Sequence, residues 1–301
     1  MNYRLQALLR WLGVVCIVGA CIALAYAVMS LIGSSLTGYT KKLVVNYGTV
    51  FGSLGLLLLL GNYYVYHGFG RQADIYRRGS SERRQVALTF DDGPHPEYTP
   101  QVLAILRKYR VPATFFVLGS QVDRYPEIQE AILADGHEIG VHAYHHLNLP
   151  TLSTVALTRE LLQTIIAMIN AGSGYPRYLR PPRGLYNSEL RQFARLLGMR
   201  IVLWSLSGED WMPGRTGEMI ANRILSRVQA GDVILLHDGG GLVAGQEASR
   251  AATVEALPLI IEGLLAKGYE IVPLAELLTD ASPEVAEEPL EGNQERVSPA
   301  L

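Results

Sequence analysis

The sequence predicts an α/β chain, a distorted (β/α)7 barrel preceded by two transmembrane helices. Three observations predict it. Between Gln85 and Thr279, short β-branched and aromatic runs alternate with amphipathic helical patterns, as in a parallel sheet wrapped by helices. Ahead of that region lie two long uncharged stretches, 11–32 and 43–66. After it, 280–301 is rich in Pro and Glu with few large apolar residues, the composition of a disordered acidic tail.

Each apolar stretch reaches the roughly 20 residues that cross a bilayer as a helix. Tyr63, Tyr64 and Tyr66 fit an interfacial aromatic belt at the end of the second. Rival readings of the first are a cleaved signal peptide, with small residues at Ala23-Leu24-Ala25, and a lipoprotein-like box at Val18-Gly19-Ala20-Cys21. Both would stop the hydrophobic segment before Ile32. Residues 71–84, with Arg71, Arg77, Arg78, Arg83 and Arg84, read as a basic linker. Counting Lys and Arg around the two stretches places both termini in the cytoplasm.

Bulk numbers exclude several partners and chemistries. Net charge is -2 and the pI about 6.4, so no nucleic acid partner is expected, and no protein partner is indicated. The 2 cysteines, Cys16 and Cys21, fall in the first apolar stretch. Neither a disulfide framework nor a cysteine metal site follows from them, so a metal site would have to be built from His and carboxylates.

Within 85–279, strands are expected at Val86–Phe90, Ala113–Leu118, Glu138–Val141, Arg177–Arg180, Arg200–Leu206, Asp232–Leu236 and Glu270–Pro273. Helical patterns cover Pro100–Tyr109, Pro126–Ala134, Ser153–Asn170, Ser188–Leu197, Thr216–Val228 and Thr253–Ala266. Ser153 and Ser188 suit helix N-caps, and Gly136, Gly198, Gly231 and Gly268 stand where helices stop.

In such a barrel the chemistry gathers where strands end and loops begin. The first strand ends in Val86-Ala87-Leu88-Thr89-Phe90-Asp91-Asp92-Gly93-Pro94-His95. Adjacent carboxylates repel and resist burial; alone, the pair reads as a turn in which one acid caps and the other is solvated. After the third strand comes Val141-His142-Ala143-Tyr144-His145-His146, holding three of the 7 histidines. His142 and His146 would share one face if the segment turned helically, and two His with a carboxylate suit a divalent ion. A polar loop explains the cluster as well. After the fourth comes Arg180-Pro181-Pro182-Arg183-Gly184-Leu185-Tyr186, a rigid loop with flanking arginines. After the fifth comes Trp204-Ser205-Leu206-Ser207-Gly208-Glu209-Asp210-Trp211, and after the sixth Leu235-Leu236-His237-Asp238-Gly239-Gly240-Gly241.

This set, in this order and with TFDDGP at its head, resembles the polysaccharide deacetylases of the NodB-homology family, carbohydrate esterase family 4. The resemblance covers roughly 85–278. It implies a metal-dependent N-deacetylase in which Asp91 is the catalytic base and Asp92, His142 and His146 hold zinc or another divalent ion. It further implies that Arg180 orients the base and that His237 is the general acid. Trp211 and Leu235 match the wall of the acetyl pocket, and Arg183 and Asp210 are added as substrate-binding candidates. Three positions depart from the common pattern. Ala143 replaces a Ser or Thr, Arg183 an aromatic, and Ser207 an Asp that tethers the catalytic His. The departures, with RPPRG and His-Ala-Tyr-His-His, resemble the peptidoglycan N-acetylmuramic acid deacetylase branch, whereas HDGGG resembles the wider family.

The expected protein is therefore a multi-pass protein of a bacterial cell membrane that deacetylates a cell-surface polysaccharide, peptidoglycan first. A wall polymer lies outside the cell, so the catalytic domain is expected there, against the charge count. Rival readings are a deacetylase of another glycan, an O-deacetylase, and a silent membrane-anchored glycan-binding module.

Overall fold

The computed structural model describes residues 38–67, 74–240 and 248–279, with a few isolated positions before 38. The chain divides into two units between Gly70 and Arg71.

In the first unit the second apolar stretch belongs to one helix, α1 (Gly38–His67). Lys41 and Lys42, expected between two membrane spans, lie inside that helix. Lys42, Asn46, Thr49 and Ser53 then place a polar group on each successive turn, and Thr49 Oγ1 turns back to donate to Val45 O at 2.6 Å. Among the described residues no helix is long and apolar enough to cross a membrane. This overturns the two predicted transmembrane helices and the multi-pass membrane location that rested on them. Most of the first stretch, 11–32, the aromatic belt's side chains and the 280–301 tail lie outside the described residues.

The second unit is the βα alternation. Along it run β1 (Ile75–Tyr76), β2 (Gln85–Asp91), α2 (Tyr98–Tyr109), β3 (Thr114–Val117), α3 (Gly119–Arg124), α4 (Pro126–Ala134), β4 (Glu138–Val141), α5 (Thr154–Asn170), β5 (Tyr178–Leu179) and α6 (Ser188–Leu196). There follow β6 (Arg200–Val202), β7 (Leu206–Ser207), α7 (Gly217–Leu225), β8 (Val233–His237), α8 (Ala251–Ala266), β9 (Glu270–Ile271) and α9 (Leu274–Leu277). Every residue of β2 is buried, the mark of a parallel strand covered on both faces. The ladder order is β1-β6-β5-β4-β3-β2-β8-β7, with β9 also on β2. All of these pairings are parallel.

The expected strand 200–206 is broken in two, and the break explains the shape. β6 lies next to one edge of the sheet and β7 forms the other, yet only Leu203, Trp204 and Ser205 join them. Three residues bridge at most roughly 15 Å, so the sheet must curl until its edges meet. The joining segment then bonds to both sides: Leu203 N donates to Tyr76 O at 2.7 Å and Ser205 N to Val233 O at 3.1 Å. The result is a curled parallel half-barrel, consistent with the expected (β/α) barrel and closed by chain rather than by a continuous ladder.

Local signals mostly hold. Ser153 Oγ accepts from Ala156 N at the start of α5, but Asn187 rather than Ser188 caps α6, accepting from Leu190 N at 2.9 Å. Gly136, Gly198 and Gly268 take φ of 79°, 64° and 74° just past α4, α6 and α8, the left-handed stop that glycine allows. Part of the predicted linker is ordered as β1, paired with β6. It is fastened by Arg78 to Asp232 at 2.7 Å and by Arg77 Nη2 to Tyr186 Oη at 3.0 Å.

Leu88, in the middle of β2, is fully buried. Leu88→Ala is expected to destabilise the barrel by about 3 kcal/mol, read as a lowered urea midpoint by tryptophan fluorescence. An unchanged midpoint would mean that β2 is not the core strand.

Candidate active site

Asp91 and Asp92 share a strand end but not an environment. Asp91 is the last residue of β2, whereas Asp92 turns away with φ 74°. Asp91 Oδ1 accepts from Arg180 Nη1 at 2.7 Å. Arg180 is 0% exposed and is bonded on every side: Nη1 also reaches Thr89 Oγ1 at 2.8 Å, Nε reaches Val202 O at 3.1 Å, and Nη2 reaches Leu203 O at 3.0 Å. Its guanidinium lies 4.0 Å from the Phe116 ring centroid.

His142 leaves the end of β4, where its N–H continues the ladder to Val117 O. Its Nδ1 is 2.7 Å from Arg180 O. A carbonyl only accepts, so the ring proton sits on Nδ1 and the Nε2 lone pair faces the other way. There Nε2 lies 3.3 Å from Asp92 Oδ1, and His146 Nε2 lies 3.4 Å from the same oxygen. The segment does not turn helically. A loop brings the two imidazoles together, with left-handed φ of 96° at Ala143 and 59° at His146. Glu160 pins the loop, accepting from Tyr144 N at 3.0 Å, His145 N at 2.9 Å and His145 Nδ1 at 2.8 Å. His145 is thereby held away from the other two.

The donor set fits a divalent ion. One ligand atom each from Asp92, His142 and His146 lie within 4.8 Å of one another. Asp92 Oδ1 is buried and, among the described residues, has no hydrogen-bond partner, a cost that a cation would remove. Burial alone would raise the Asp92 pKa, but the neighbouring imidazoles of His142 and His146 hold it below the usual carboxylate range. Burial lowers His146 to about 4, against the pull of Asp92. It therefore presents the neutral, lone-pair form that a metal requires.

The opposite wall is β8, where His237 pairs in register with Asp91. Asp210 Oδ1 lies 2.8 Å from His237 Nδ1, while Oδ2 accepts from His237 N and from Thr253 Oγ1, each at 2.8 Å. Burial opposes charge on His237, yet the Asp210 carboxylate and its hydrogen bond raise the imidazole above its usual pKa. Burial likewise would raise Asp210, but His237 and Arg250 hold it low. Ser207 does not reach His237; its Oγ accepts from Glu209 N at 3.1 Å. The tether missing at Ser207 is thus supplied by Asp210, which sequence reasoning had placed on the substrate wall.

Trp211 meets His237 edge-on, centroids 5.5 Å apart. Leu235 is 2% exposed, two residues before His237 on the same strand face, so it lies one layer deeper. Arg183 is exposed with φ 58°, and its charge bears on His146. Asp210 and Glu209, the acids of the loop after β7, are engaged elsewhere: Asp210 holds His237 and Thr253, and Glu209 pairs with Arg215 and Arg223. Sequence reasoning missed Arg250, Thr253 and Asp238. Asp238 is pushed up to about 7 by burial and by the Asp92 and Asp91 charges, and it accepts from Thr99 Oγ1 at 2.6 Å. The first two are visible in the sequence only as polar residues opening an apolar helix.

Comparison with known proteins agrees with this geometry. Residues 78–202 match the family model described as polysaccharide deacetylase. A peptidoglycan-N-acetylglucosamine deacetylase of Bacillus cereus is 39% identical over 196 residues, 64% of this chain and 87% of that protein. A chitooligosaccharide deacetylase of Bradyrhizobium sp. is 37% identical over 205 residues, 65% of this chain and 92% of that protein. Among solved structures, a peptidoglycan N-acetylglucosamine deacetylase superposes with a TM-score of 0.63 at 32% identity, covering 68% of this chain and 92% of the other.

Asp92→Ala or His142→Ala is expected to abolish stoichiometric binding of a divalent ion to the metal-free full chain in titration calorimetry. Asp91→Asn should retain it. Loss of binding in Asp91→Asn would place Asp91 among the ligands instead.

Proposed function

Because the chain belongs to the polysaccharide deacetylase family and is a glycan deacetylase, we propose that it removes N-acetyl groups from peptidoglycan with zinc as the metal. Asp92, His142 and His146 would hold the ion, which when bound would supply a Lewis acid for the acetyl carbonyl oxygen. Asp91 is the base. Arg180 occupies its Oδ1, and Oδ2 stands 3.8 Å from His142 Nε2, facing the reaction side. That oxygen takes a proton from the attacking water as the water oxygen bonds to the acetyl carbon. As the carbon–nitrogen bond breaks, His237 gives a proton from Nε2 to the departing amine, so acetate and a free amino sugar leave. Asp210 supports that step by holding Nδ1 and stabilising the imidazolium. Trp211 and Leu235 shape the acetyl pocket.

The observation that carries peptidoglycan over an uncharged glycan is Arg183, an exposed cation close enough to His146 to depress its pKa. A guanidinium pairs with carboxylates through a planar fork of donors. Peptidoglycan has them in its peptides and on lactyl groups that carry no peptide, whereas chitin-type oligosaccharides have none. Acetate release from defined peptidoglycan fragments, with the sugars identified by mass spectrometry, tests the reading. Release from chitooligosaccharides but not from peptidoglycan would overturn it.

Two expectations follow from these roles. Because Asp210 raises the His237 pKa, the proton-donating form persists to higher pH, and the rate falls as pH climbs through that value. Asp210→Asn removes the anion, so the alkaline limb of kcat should shift to lower pH. An unmoved limb would exclude His237 as the acid. Replacing Arg183 with tyrosine should weaken action on muramic residues relative to glucosamine residues. The expected loss is about 1.5–3 kcal/mol, roughly ten- to a hundredfold in the ratio of kcat/KM values. An unchanged ratio would remove Arg183 from substrate recognition.

A further inference from the structure

We propose that Arg250 is a positioning residue that ties the proton-donating side of the site to the metal-binding side, by clamping Gly239, Gly240 and Asp210 from the start of α8. The inference rests on the deacetylase reading for its catalytic half. Arg250 is 2% exposed, and among the described residues it forms no ion pair with a carboxylate. A guanidinium is costly to bury without one. Its donors instead go to three main-chain carbonyls: Nε to Gly239 O at 2.8 Å, Nη2 to Gly240 O at 3.0 Å and Nη1 to Asp210 O at 3.4 Å. These belong to the loops after β8 and β7, which carry His237 and its partner.

The two glycines lie on the other half of the site. A Cβ on Gly239 would come within 2.6 Å of Asp92 O, and one on Gly240 within 2.4 Å of Asp92 Oδ2. The strap therefore rests directly on the carboxylate with no space between, and Asp238 N bonds to Asp91 O at 3.2 Å. A shift of the strap would move His237 and crowd or release Asp92 together. Thr253, one turn further along α8, touches only the Asp210 side, through the 2.8 Å bond from its hydroxyl to Oδ2. Arg250 and Thr253 thus differ in a way that experiment can separate.

The test compares the full chain with Arg250→Met, Arg250→Lys and Thr253→Val, by zinc titration of the metal-free protein and by acetate release at saturating zinc. Arg250→Met should weaken zinc binding roughly tenfold or more. It should also lower kcat roughly tenfold with KM within about twofold. Thr253→Val should lower kcat while binding zinc as the wild type does. Arg250→Lys keeps the charge without the fork and should recover only part of each loss. Wild-type zinc affinity in Arg250→Met would overturn the link to Asp92, and an undiminished kcat would overturn the link to His237. Full recovery with lysine would reduce the clamp to a charge and overturn it as well. A wild-type chain that binds zinc but releases no acetate from any glycan would sink the deacetylase reading, while the zinc comparison would still decide the clamp.

Discussion

Arg180 and Asp91 form a buried ion pair inside the barrel, and the remaining architecture is arranged around it. Removing either partner would strand a charge where water cannot reach, a loss of roughly 3–5 kcal/mol in comparable settings. The pair is tolerable because every Arg180 donor group has an acceptor. Those acceptors are Thr89 and Asp91 on β2, the end of β6, and Leu203 in the segment that joins the sheet edges. Closing the barrel and fixing the carboxylate are therefore one event. The backbone of the same residue fixes a second group, since Arg180 O takes the Nδ1 proton of His142. Side chain and main chain of one arginine orient both flanks of the reaction centre.

Two carboxylates of the centre are paired with protein cations. Asp91 is answered by Arg180, and Asp210 by His237 with Arg250 close by. Among the described residues the ion-pair-range neighbours of Asp92 are two imidazoles, of which His146 is kept neutral. Among the described residues Asp92 and the buried Asp238 are thus carboxylates without a protein cation, and of the two Asp92 is the one placed where two lone pairs converge. That imbalance is the electrostatic reason a divalent ion belongs there, and it grows from a backbone event. Asp92 takes a left-handed conformation immediately after an all-buried strand, so neighbouring acids diverge into different surroundings.

What could be read from the sequence was governed by range. Short apolar runs ending in Asp91-Asp92, His142, Arg180 and His237 are local patterns, and the barrel assembles them at one end because parallel strands all point the same way. Contacts between distant segments were not legible. Asp210 and His237 are 27 residues apart, and nothing in GEDW distinguishes a tether from a substrate wall. The division of 200–206 into β6 and β7 depends on sheet order, which a run of apolar residues does not encode. β1 hid in a basic segment because two of its neighbouring arginines serve packing and pairing rather than solvation. The His142–His146 cluster was legible locally, but the spacing left a helical face and a polar loop open, and it is a loop that brings the two rings together. The membrane spans failed for the opposite reason: bulk apolarity over 43–66 was legible, but the helix it forms carries its lysines within and polar groups along its length.

Six described non-glycine residues have positive φ, and five of them, Asp92, Ala143, His146, Arg183 and Glu209, surround the site. Each such residue forgoes roughly 1–2 kcal/mol that glycine would not. At four of these positions glycine would remove a side chain the site uses: Asp92 and His146 belong to the donor cluster proposed for the metal, Arg183 is proposed to meet substrate, and Glu209 pairs with Arg215 and Arg223 beside Asp210. Thermal tolerance in this enzyme must then be gained elsewhere, in the core strands and helix caps, while the centre stays a fixed deficit. Ala143 is the exception: its methyl group performs no chemistry, and a lineage under heat could replace it without touching the reaction.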